Sequence, residues 1–322
     1  MGIESDWIWF DGELVPFDDA RVHVLSHSLH YGFGVFEGIR SYTQPDGSAG
    51  VFRLHEHLER FYDSLKMMRL EIQFTEEQLV QAVLETLTAN RFTEAYIRPL
   101  AFLGMGRMGL GARDNPVHVV IATWHWGAYL GEEGLRSGVS VKTSSFTRNT
   151  PNAALQRAKV TGHYVNSILA RYEANDDGFD EAIMLDQHGF VAEGTGENLF
   201  IAKRGKVKTP PVANILPGIT RRTIMEILEH EGYDVQESWF GRDGMYVADE
   251  VWMVGTAAEV TPIRAVDRRV VGDGKPGPIT RRVQELYAAA VRGRLDWMKS
   301  SITTNAGLVE VTAPTGRRVG AT

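Results

Sequence analysis

The sequence predicts an α/β fold organised as two domains. Its 322 residues are 43% apolar and 10% aromatic, so the chain can bury a large core, and this length is typical of about two domains. Predicted strands and helices alternate in both halves of the chain, which is the pattern of α/β architecture. Between the halves, residues 127–134 have a loop-like composition and are the candidate domain connection.

Hydrophobic periodicity identifies the elements of the first half. Polar and apolar residues alternate around an Asp11-Gly12 turn, as expected for a hairpin at a sheet edge. Thr75 and Gln78 form a capping box that begins a helix. The predicted elements are a hairpin over 7–16, helices over 54–68 and 75–87, and buried strands over 95–103 and 117–124.

The second half continues the alternation. Apolar residues at helical spacing, from Val165 to Tyr172, mark a helix that ends near Gly178. Two later strands lie around a turn at Gln187-His188-Gly189. The predicted elements are strands over 139–145, 182–185 and 199–203, helices around 165–172 and 224–228, and a weakly structured extension over 300–322.

Composition excludes several classes of function. A formal charge of −7 with mixed signs gives no electrostatic reason to bind nucleic acid or an anionic membrane, so we expect small-molecule partners. No apolar run approaches the roughly 20 residues that span a bilayer, and the first residues lack a signal-peptide pattern, so we expect a cytoplasmic protein. Because the chain has no cysteine, disulfides, thiolate catalysis and cysteine-ligated metal sites are excluded, and catalysis must use other side chains or an organic cofactor. We also expect no metal site.

The segment from Gly104 to Gly109 matches the dinucleotide-binding pattern GxGxxG. That pattern binds a pyrophosphate only where it opens a helix and an acidic residue follows about 20 positions later. Here a loop continues through Pro116, and the later positions hold Trp126 and Gly127. We therefore expect these glycines to shape a mobile loop.

Three other segments carry candidate functional residues, each with an ordinary structural alternative. Lys159 precedes a predicted helix beside apolar residues and Arg157, a setting that favours an uncharged, nucleophilic amine, but it could be a solvated surface lysine. Glu193 enters a glycine-rich turn and is either a functional carboxylate or part of a hairpin. Residues 216–221 form a turn that opens a helix, where free amides and Thr220 favour an anion unless Thr220 is an ordinary cap.

Together these segments resemble the class IV, fold-type IV aminotransferases, which use pyridoxal 5'-phosphate, and within them the bacterial branched-chain amino acid aminotransferases. The resemblance extends from residue 6 to residue 297, with the motifs in family order. The motifs are Ile8-Trp9-Phe10-Asp11-Gly12, His30-Tyr31-Gly32, Val35-Phe36-Glu37-Gly38-Ile39-Arg40, Tyr96-Ile97-Arg98-Pro99, Trp126-Gly127-Ala128-Tyr129-Leu130, Ala158-Lys159, Glu193-Gly194-Thr195-Gly196-Glu197-Asn198-Leu199-Phe200, Leu216-Pro217-Gly218-Ile219-Thr220-Arg221 and Gly255-Thr256-Ala257-Ala258-Glu259.

The resemblance implies two α/β domains with the active site between them. The expected units are a small domain over 1–127, an interdomain loop over 128–137, a large domain over 138–299 that carries the cofactor lysine, and an extension over 300–322. Lys159 would hold the cofactor as a Schiff base and move the proton at the substrate Cα. Glu193 would pair with the pyridine nitrogen, and Tyr164 with the phenolic oxygen. The implied phosphate ligands are Arg60, Ile219, Thr220 and Thr256, although helical periodicity alone would place Arg60 in solvent.

The implied reaction moves the amino group of L-leucine, L-isoleucine or L-valine to 2-oxoglutarate and yields branched 2-oxo acids and L-glutamate. Tyr96 and the backbone at Ala257 would bind the α-carboxylate, while Arg98 would bind the distal carboxylate of glutamate. Tyr31 and the loop over 104–111 resemble elements supplied across a dimer interface, so we expect a homodimer or a higher homo-oligomer. The resemblance also implies an aromatic pocket for the substrate side chain, formed by Phe36, Tyr96, Trp126, Tyr129 and Tyr164. Any one of these residues, taken alone, could instead belong to the hydrophobic core.

Several alternatives stay open at this point. Within the fold they are a D-amino acid transaminase, an (R)-amine transaminase and an aminodeoxychorismate lyase. Outside it they are a nicotinamide oxidoreductase built on the loop over 104–109 and a binding or scaffold protein without chemistry. The segments over 96–98 and 255–259 favour the L-branched-chain substrate.

Overall fold

The computed structural model describes residues 3–306. In the first half, the predicted hairpin, both helices and both buried strands are confirmed, and the capping box of Thr75 and Gln78 is present. The elements of this half are β1 Trp7–Phe10, β2 Glu13–Pro16, α1 His27–Tyr31, β3 Gly34–Phe36, β4 Ile39–Thr43, β5 Ala49–Phe52, α2 Leu54–Met68, α3 Glu76–Ala89, β6 Ala95–Leu103 and β7 Val117–Trp124. A short 3-10 turn follows β2 at Phe17–Asp19.

The second half contains the predicted strands and helices and several elements that the pattern did not indicate. Its elements are α4 Gly131–Ser137, β8 Val139–Thr143, α5 Tyr164–Asp176, β9 Glu181–Leu185, β10 Val191–Gly194, β11 Asn198–Lys203, β12 Lys206–Thr209, α6 Ile219–His230, β13 Val235–Glu237, α7 Arg242–Tyr246, β14 Glu250–Gly255, β15 Glu259–Val266, β16 Arg269–Val270, α8 Pro278–Val291 and β17 Ile302–Thr304. Two 3-10 turns lie at Thr161–His163 and Asp296–Ser301.

The strands form two sheets. The first has the order β17-β5-β4-β6-β7-β1-β2, with β3 paired to β6, and its neighbours run antiparallel. The second has the order β10-β9-β8-β15-β14-β11-β12-β13, with β16 paired to β15. It is mixed, because β8 runs parallel to both β9 and β15 and β12 runs parallel to β13. Among residues 3–306, no helix combines the length and the apolar character needed to cross a bilayer.

One hydrophobic cluster joins the two sheets. Tyr42 and Phe52 of the first sheet pack in the same cluster as Phe200 and Trp252 of the second, and the latter two rings stack 5.5 Å apart. Burial of apolar surface is the dominant favourable term in folding. The cluster therefore fixes the two halves of the molecule relative to each other.

Two helical segments differ from the sequence interpretation. The connection expected to be a loop over 128–137 contains α4, which is stabilised by an ion pair of Glu133 with Arg136 inside one turn. Its two glycines mask this helix in the sequence because glycine has a low helix propensity. Helix α5 is confirmed, but its large apolar side chains point outward. Val165 and Tyr172 are 60% and 63% exposed, whereas the small residues Ala170 and Ala174 form the buried face.

Two strand pairings also differ. The turn at 187–189 connects β9 to β10 and not to the strand predicted over 199–203, because Val191–Gly194 forms the hairpin partner. Strand β10 was not predicted because it is only four residues long and a glycine-rich turn follows it. The segment predicted to be a weakly structured extension over 300–322 begins with β17, which pairs with β5 at the edge of the first sheet. Residues 307–322 of that extension lie outside the described residues.

Asn90 connects three elements of the first half through one buried amide. Its oxygen accepts hydrogen bonds from the backbone N–H groups of Asp6 and Trp7 at 2.9 and 2.8 Å. Its nitrogen donates to the carbonyl of Trp7 and to the Thr123 hydroxyl at 2.9 and 3.0 Å. These bonds tie the end of α3 to β1 and β7.

We expect Asn90→Ala to lower the free energy of unfolding by about 2–4 kcal/mol, because it leaves partly buried backbone groups of Asp6 and Trp7 and the buried Thr123 hydroxyl without this partner. Thermal denaturation at fixed protein and ligand concentrations measures the loss. The control is Asn175→Ala, which removes an exposed amide and should change stability by less than about 0.5 kcal/mol. Equal shifts for the two variants would contradict the role assigned to Asn90.

Candidate active site

A cavity of about 450 Å³ lies between the two sheets, within the usual range for small-molecule sites. Of the fourteen predicted site residues, the structure brings thirteen to its wall. They are Phe36, Arg60, Tyr96, Arg98, Trp126, Tyr129, Lys159, Tyr164, Glu193, Ile219, Thr220, Thr256 and Ala257. The exception is Tyr31, which lies outside the cavity and is 43% exposed.

The backbone of Lys159 is held from two sides. Its carbonyl accepts a hydrogen bond from the N–H of Phe36 at 3.0 Å, and its own N–H donates to the Ser64 hydroxyl of α2 at 3.1 Å. The side chain enters the cavity, where Nζ donates to the hydroxyl of Tyr164 at 2.7 Å. The amine is therefore fixed at a defined point of the wall, which a solvated surface lysine would not be.

Glu193 lies in β10 with its side chain almost fully buried. The carboxylate accepts hydrogen bonds from Arg148 Nε at 2.7 Å, from Asn198 Nδ2 at 3.0 Å and from the N–H of Leu216 at 3.2 Å. Burial raises the pKa of this carboxyl, while the charge of Arg148 and these hydrogen bonds oppose the rise. The ordinary hairpin interpretation is incomplete, since the carboxylate of Glu193, one residue before the end of the strand, lines the cavity.

The start of α6 forms one corner of the cavity. Its backbone amides are suited to an anion, so we call it the anion-binding corner. Gly218 is the N-cap residue, so the alternative in which Thr220 caps the helix is wrong. No side chain among the described residues caps this end, which leaves the amides of the first turn available to a ligand. A Cβ on Gly218 would lie 1.9 Å from Asn198 Oδ1, so a larger residue cannot replace this glycine without displacing Asn198.

Arg60 reaches the same corner from α2. Its side chain is only 11% exposed, so the solvated position suggested by helical periodicity is wrong. Nη1 donates to the carbonyl of Pro217 at 3.1 Å, and the opposite edge of the guanidinium pairs with buried Glu37. A cation and a helix start therefore converge beside Pro217 and Gly218.

Arg98 lies on β6 among aromatic rings. Its guanidinium carbon is 4.7 Å from the ring centre of Phe36 and 5.3 Å from that of Tyr96. Nε is buried and finds no acceptor among residues 3–306. Tyr96 packs edge-on against Trp126 at 4.5 Å, and Trp126 against Tyr129 at 5.7 Å. The result is an apolar compartment with one cation that can accept a ligand carboxylate.

Arg40 links the aromatic compartment to the turn after β14. Its guanidinium donates to the carbonyls of Trp126 and Gly127 and pairs with Glu259 at 3.4 Å. Glu259 has a left-handed backbone with φ of 51° and also accepts a hydrogen bond from Tyr42 at 2.9 Å. These contacts hold the 255–259 turn, including Thr256 and Ala257, against the cavity.

Tyr31 and the loop over 104–111 form a separate surface unit. His27 lies 4.5 Å from the ring of Tyr31, and its Nε2 is 3.0 Å from the carbonyl of Gly109. The loop opens no helix, which agrees with the interpretation that it is not a dinucleotide site. Leu110 at its tip is 91% exposed.

The sequence reasoning missed several residues that line the cavity or lie directly behind its wall. Arg148 lies in an irregular loop, where no periodicity or motif signals a buried cation. Glu197 lines the cavity with a pKa raised by burial, although it stands in a quoted motif. Glu37 and Arg40 also stand in a quoted motif, and their roles depend on partners that are distant in sequence.

Comparisons with known proteins agree with this arrangement. The family model described as "Amino-transferase class IV" matches residues 34–266. The branched-chain-amino-acid aminotransferase of Pseudomonas aeruginosa is 49% identical over 289 residues, which cover 90% of this chain and 94% of that protein.

Solved structures show the same fold. The branched-chain amino acid aminotransferase of Escherichia coli has a TM-score of 0.90 and 42% identity, covering 94% of this chain and 100% of that chain. A branched-chain amino acid aminotransferase with pyridoxamine 5'-phosphate, from the organism abbreviated T.th., has a TM-score of 0.91 and 45% identity at the same coverage. On the family match and these relatives, the chain belongs to the class IV aminotransferase family.

Proposed function

We propose that this protein is a pyridoxal-phosphate-dependent transaminase that moves the amino group of L-leucine, L-isoleucine or L-valine to 2-oxoglutarate. One observation carries the proposal: the amine of Lys159, held by Tyr164, shares a single cavity with the buried carboxylate of Glu193 and the anion-binding start of α6. The names of the relatives support the choice of substrate.

The groups of the cavity fit those of pyridoxal phosphate. The cofactor has an aldehyde, a ring nitrogen, a phenolic oxygen and a phosphate, and each finds a suitable partner type here. Lys159 offers the amine, Glu193 the carboxylate and Tyr164 the hydroxyl. For the phosphate, the residues are Arg60, Ile219, Thr220 and Thr256. The orphaned amides at the start of α6 are the kind of donor that a phosphate satisfies.

Pyridoxal phosphate, when bound, supplies an electron sink for negative charge at the substrate Cα. Lys159 would hold the cofactor, and its amine would take the proton from the substrate Cα. Tyr164 orients that amine by accepting its hydrogen bond at 2.7 Å. Glu193 would pair with the ring nitrogen and favour its protonated form, and Arg148 holds the carboxylate of Glu193 in place.

The aromatic compartment explains how one site accepts two kinds of amino donor. Phe36, Tyr96 and Trp126 give an apolar surface for a branched side chain. Arg98 adds a cation for the distal carboxylate of glutamate, and the aromatic faces stabilise this cation while no carboxylate is bound. Tyr96 and the backbone at Ala257 bind the α-carboxylate in this proposal.

No observation favours the other reactions considered for the fold. The D-amino acid and (R)-amine transaminases and the aminodeoxychorismate lyase need pockets for different substrates, and the relatives reported above bear branched-chain names. A nicotinamide oxidoreductase lacks support because the loop over 104–111 does not begin a helix. The cytoplasmic location expected from the sequence stays a prediction.

We also propose a homodimer or a higher homo-oligomer in which Tyr31 and the loop over 104–111 complete the site of a second copy. The support is a group of exposed apolar side chains around α1 and this loop, where solvent exposure is costly. They are Val22, Val24, Leu25, Leu29, Tyr31, Met105, Met108 and Leu110. The outward apolar residues of α5 are a second surface that another copy could cover.

The domain boundaries are likewise our proposal: 1–127 and 138–299, connected through 128–137. The division into two sheets supports it. The edge strand β17 is the exception, because it follows the second unit in sequence and pairs within the sheet of the first.

The first test labels the cofactor lysine. Borohydride reduction of the protein with pyridoxal phosphate, followed by peptide mapping, should place the adduct on Lys159. L-Leucine, but not D-alanine or (R)-1-phenylethylamine, should change the visible absorbance of the bound cofactor. Lys159→Ala should lower turnover at least about 10³-fold, while Lys203→Ala, at a surface ion pair, should not. Adduct on another lysine would refute the proposal.

Arg98→Met should separate the two amino donors. Loss of the cation should lower kcat/KM for L-glutamate about 100-fold, equivalent to about 2.7 kcal/mol, and change that for L-leucine far less. Stopped-flow half-reactions with each amino acid measure the two values independently. The control, Arg113→Met, removes an exposed arginine outside the cavity. An equal loss for both donors would show that Arg98 does not bind the distal carboxylate.

Leu110→Glu should weaken self-association, because it places a charge on the apolar surface proposed to meet a second copy. Sedimentation velocity should then show monomer, with a parallel loss of activity. Val270→Glu is the matched control, since Val270 is 61% exposed on β16, away from this surface. A variant that sediments and turns over as the unaltered protein does would rule out this interface.

A further inference from the structure

Glu37 is a fully buried acid, and both oxygens of its carboxylate accept hydrogen bonds. It lies between β3 and β4 with no exposed surface. One oxygen accepts from Arg60 Nε at 2.7 Å. The other accepts from Arg60 Nη2 and from His57 Nδ1, both at 2.8 Å, and from the N–H of Gly38 at 3.2 Å. The pair with Arg60 is bidentate, so it fixes the plane of the guanidinium as well as its distance.

The backbone that carries Glu37 cannot shift easily. Its N–H donates to the carbonyl of Pro99 on β6 at 2.8 Å. The next residue is Gly38, where an added Cβ would lie only 2.0 Å from the hydroxyl of Tyr96. A rigid sheet therefore supports the carboxylate, and the carboxylate supports the side chain of Arg60.

This arrangement leaves one part of Arg60 for a ligand. Nε and Nη2 are occupied by Glu37, while Nη1 points to the start of α6 and donates to the carbonyl of Pro217. Without Glu37, the long side chain on α2 would have other rotamers available, and ordering it would cost part of the binding free energy.

Charge alone leads to the opposite expectation. Burial by itself would raise the pKa of Glu37, but Arg60 and His57 hold it well below its usual range, so the group is an anion. Burial lowers the pKa of His57, which favours the neutral imidazole at neutral pH. Glu37 thus cancels the positive charge of Arg60 next to the anion-binding corner. If charge dominated, removing the carboxylate would strengthen the binding of a phosphate.

We propose that Glu37 is a positioning residue that orients Arg60 for the phosphate of the cofactor. Its orientation of the guanidinium strengthens phosphate binding by more than its negative charge weakens it. This inference rests on the proposed function, because that function supplies the phosphate ligand. It predicts that an isosteric neutral residue at position 37 weakens binding of the phosphorylated cofactor only.

The test compares two ligands on the full-length protein. Because the cofactor is held covalently on Lys159 in our proposal, it is first released with excess L-leucine and then removed by dialysis. Pyridoxal 5'-phosphate and pyridoxal share the ring and the aldehyde, but only the former has a phosphate. For Glu37→Gln, we expect the Kd of pyridoxal phosphate to rise about tenfold and the Kd of pyridoxal to stay unchanged, as measured by fluorescence titration. In an Arg60→Met background, the same substitution should change the Kd of pyridoxal phosphate no further.

Other outcomes are distinct. An unchanged or lower Kd of pyridoxal phosphate in Glu37→Gln would overturn the inference, as would an equal loss for both ligands, which indicates a general structural role. If Glu37→Gln does not fold, Arg60→Lys decides: it keeps the charge but lacks the planar fork, so the same selective tenfold loss is expected and an unaltered Kd would overturn the inference. Failure of the unaltered protein to bind either ligand would instead refute the proposed function.

Discussion

The cavity depends on the fixed junction of two sheets, because neither sheet alone supplies more than part of its wall. Tyr42 and Phe52 pack with aromatic residues of the second sheet in one cluster. Two ion pairs cross the same junction, Arg53 with Glu226 and Arg40 with Glu259. Apolar burial stabilises this contact. The two arginines restrict its geometry, because a planar guanidinium pairs with a carboxylate in few orientations. A shift of one sheet against the other would separate the lysine from its anion-binding corner.

At the cavity, the buried charged side chains Glu37, Arg60, Arg148 and Glu193 form ion pairs with one another. A cation there that has no carboxylate partner is a candidate site for a ligand. Glu193 pairs with Arg148, and Glu37 with Arg60. A buried ion that has lost its partner is strongly destabilising, so these pairs keep the unliganded site intact. Arg98 is different, because it is surrounded by aromatic faces and has no ion-pair partner among the described residues. In the proposed reaction, the aromatic rings around Arg98 therefore contact apolar side chains, and Arg98 itself binds acidic ones.

The sequence predicted the fold where periodicity was strong and failed where elements were short or partners were distant. Helix α2 and strands β6 and β7 have the predicted bounds, since each has a continuous apolar face. The glycine-containing α4 and the brief β10 and β17 have no such face. In the site, the family resemblance and not periodicity identified the thirteen predicted residues that line one cavity. Arg148 could not be found, because only the folded chain places it beside Glu193.

Strand β17 has a consequence for biosynthesis. It pairs Ile302 with Phe52, so the first sheet is completed by residues that follow strand β5 by about 250 positions. During vectorial synthesis, the early strands leave the ribosome long before their last neighbour exists, and strand β5 keeps an open edge meanwhile. Contacts of such large sequence separation slow folding. Until residues 302–304 have been synthesised, the nascent chain must therefore rely on packing of α2 and α3 against the growing sheet.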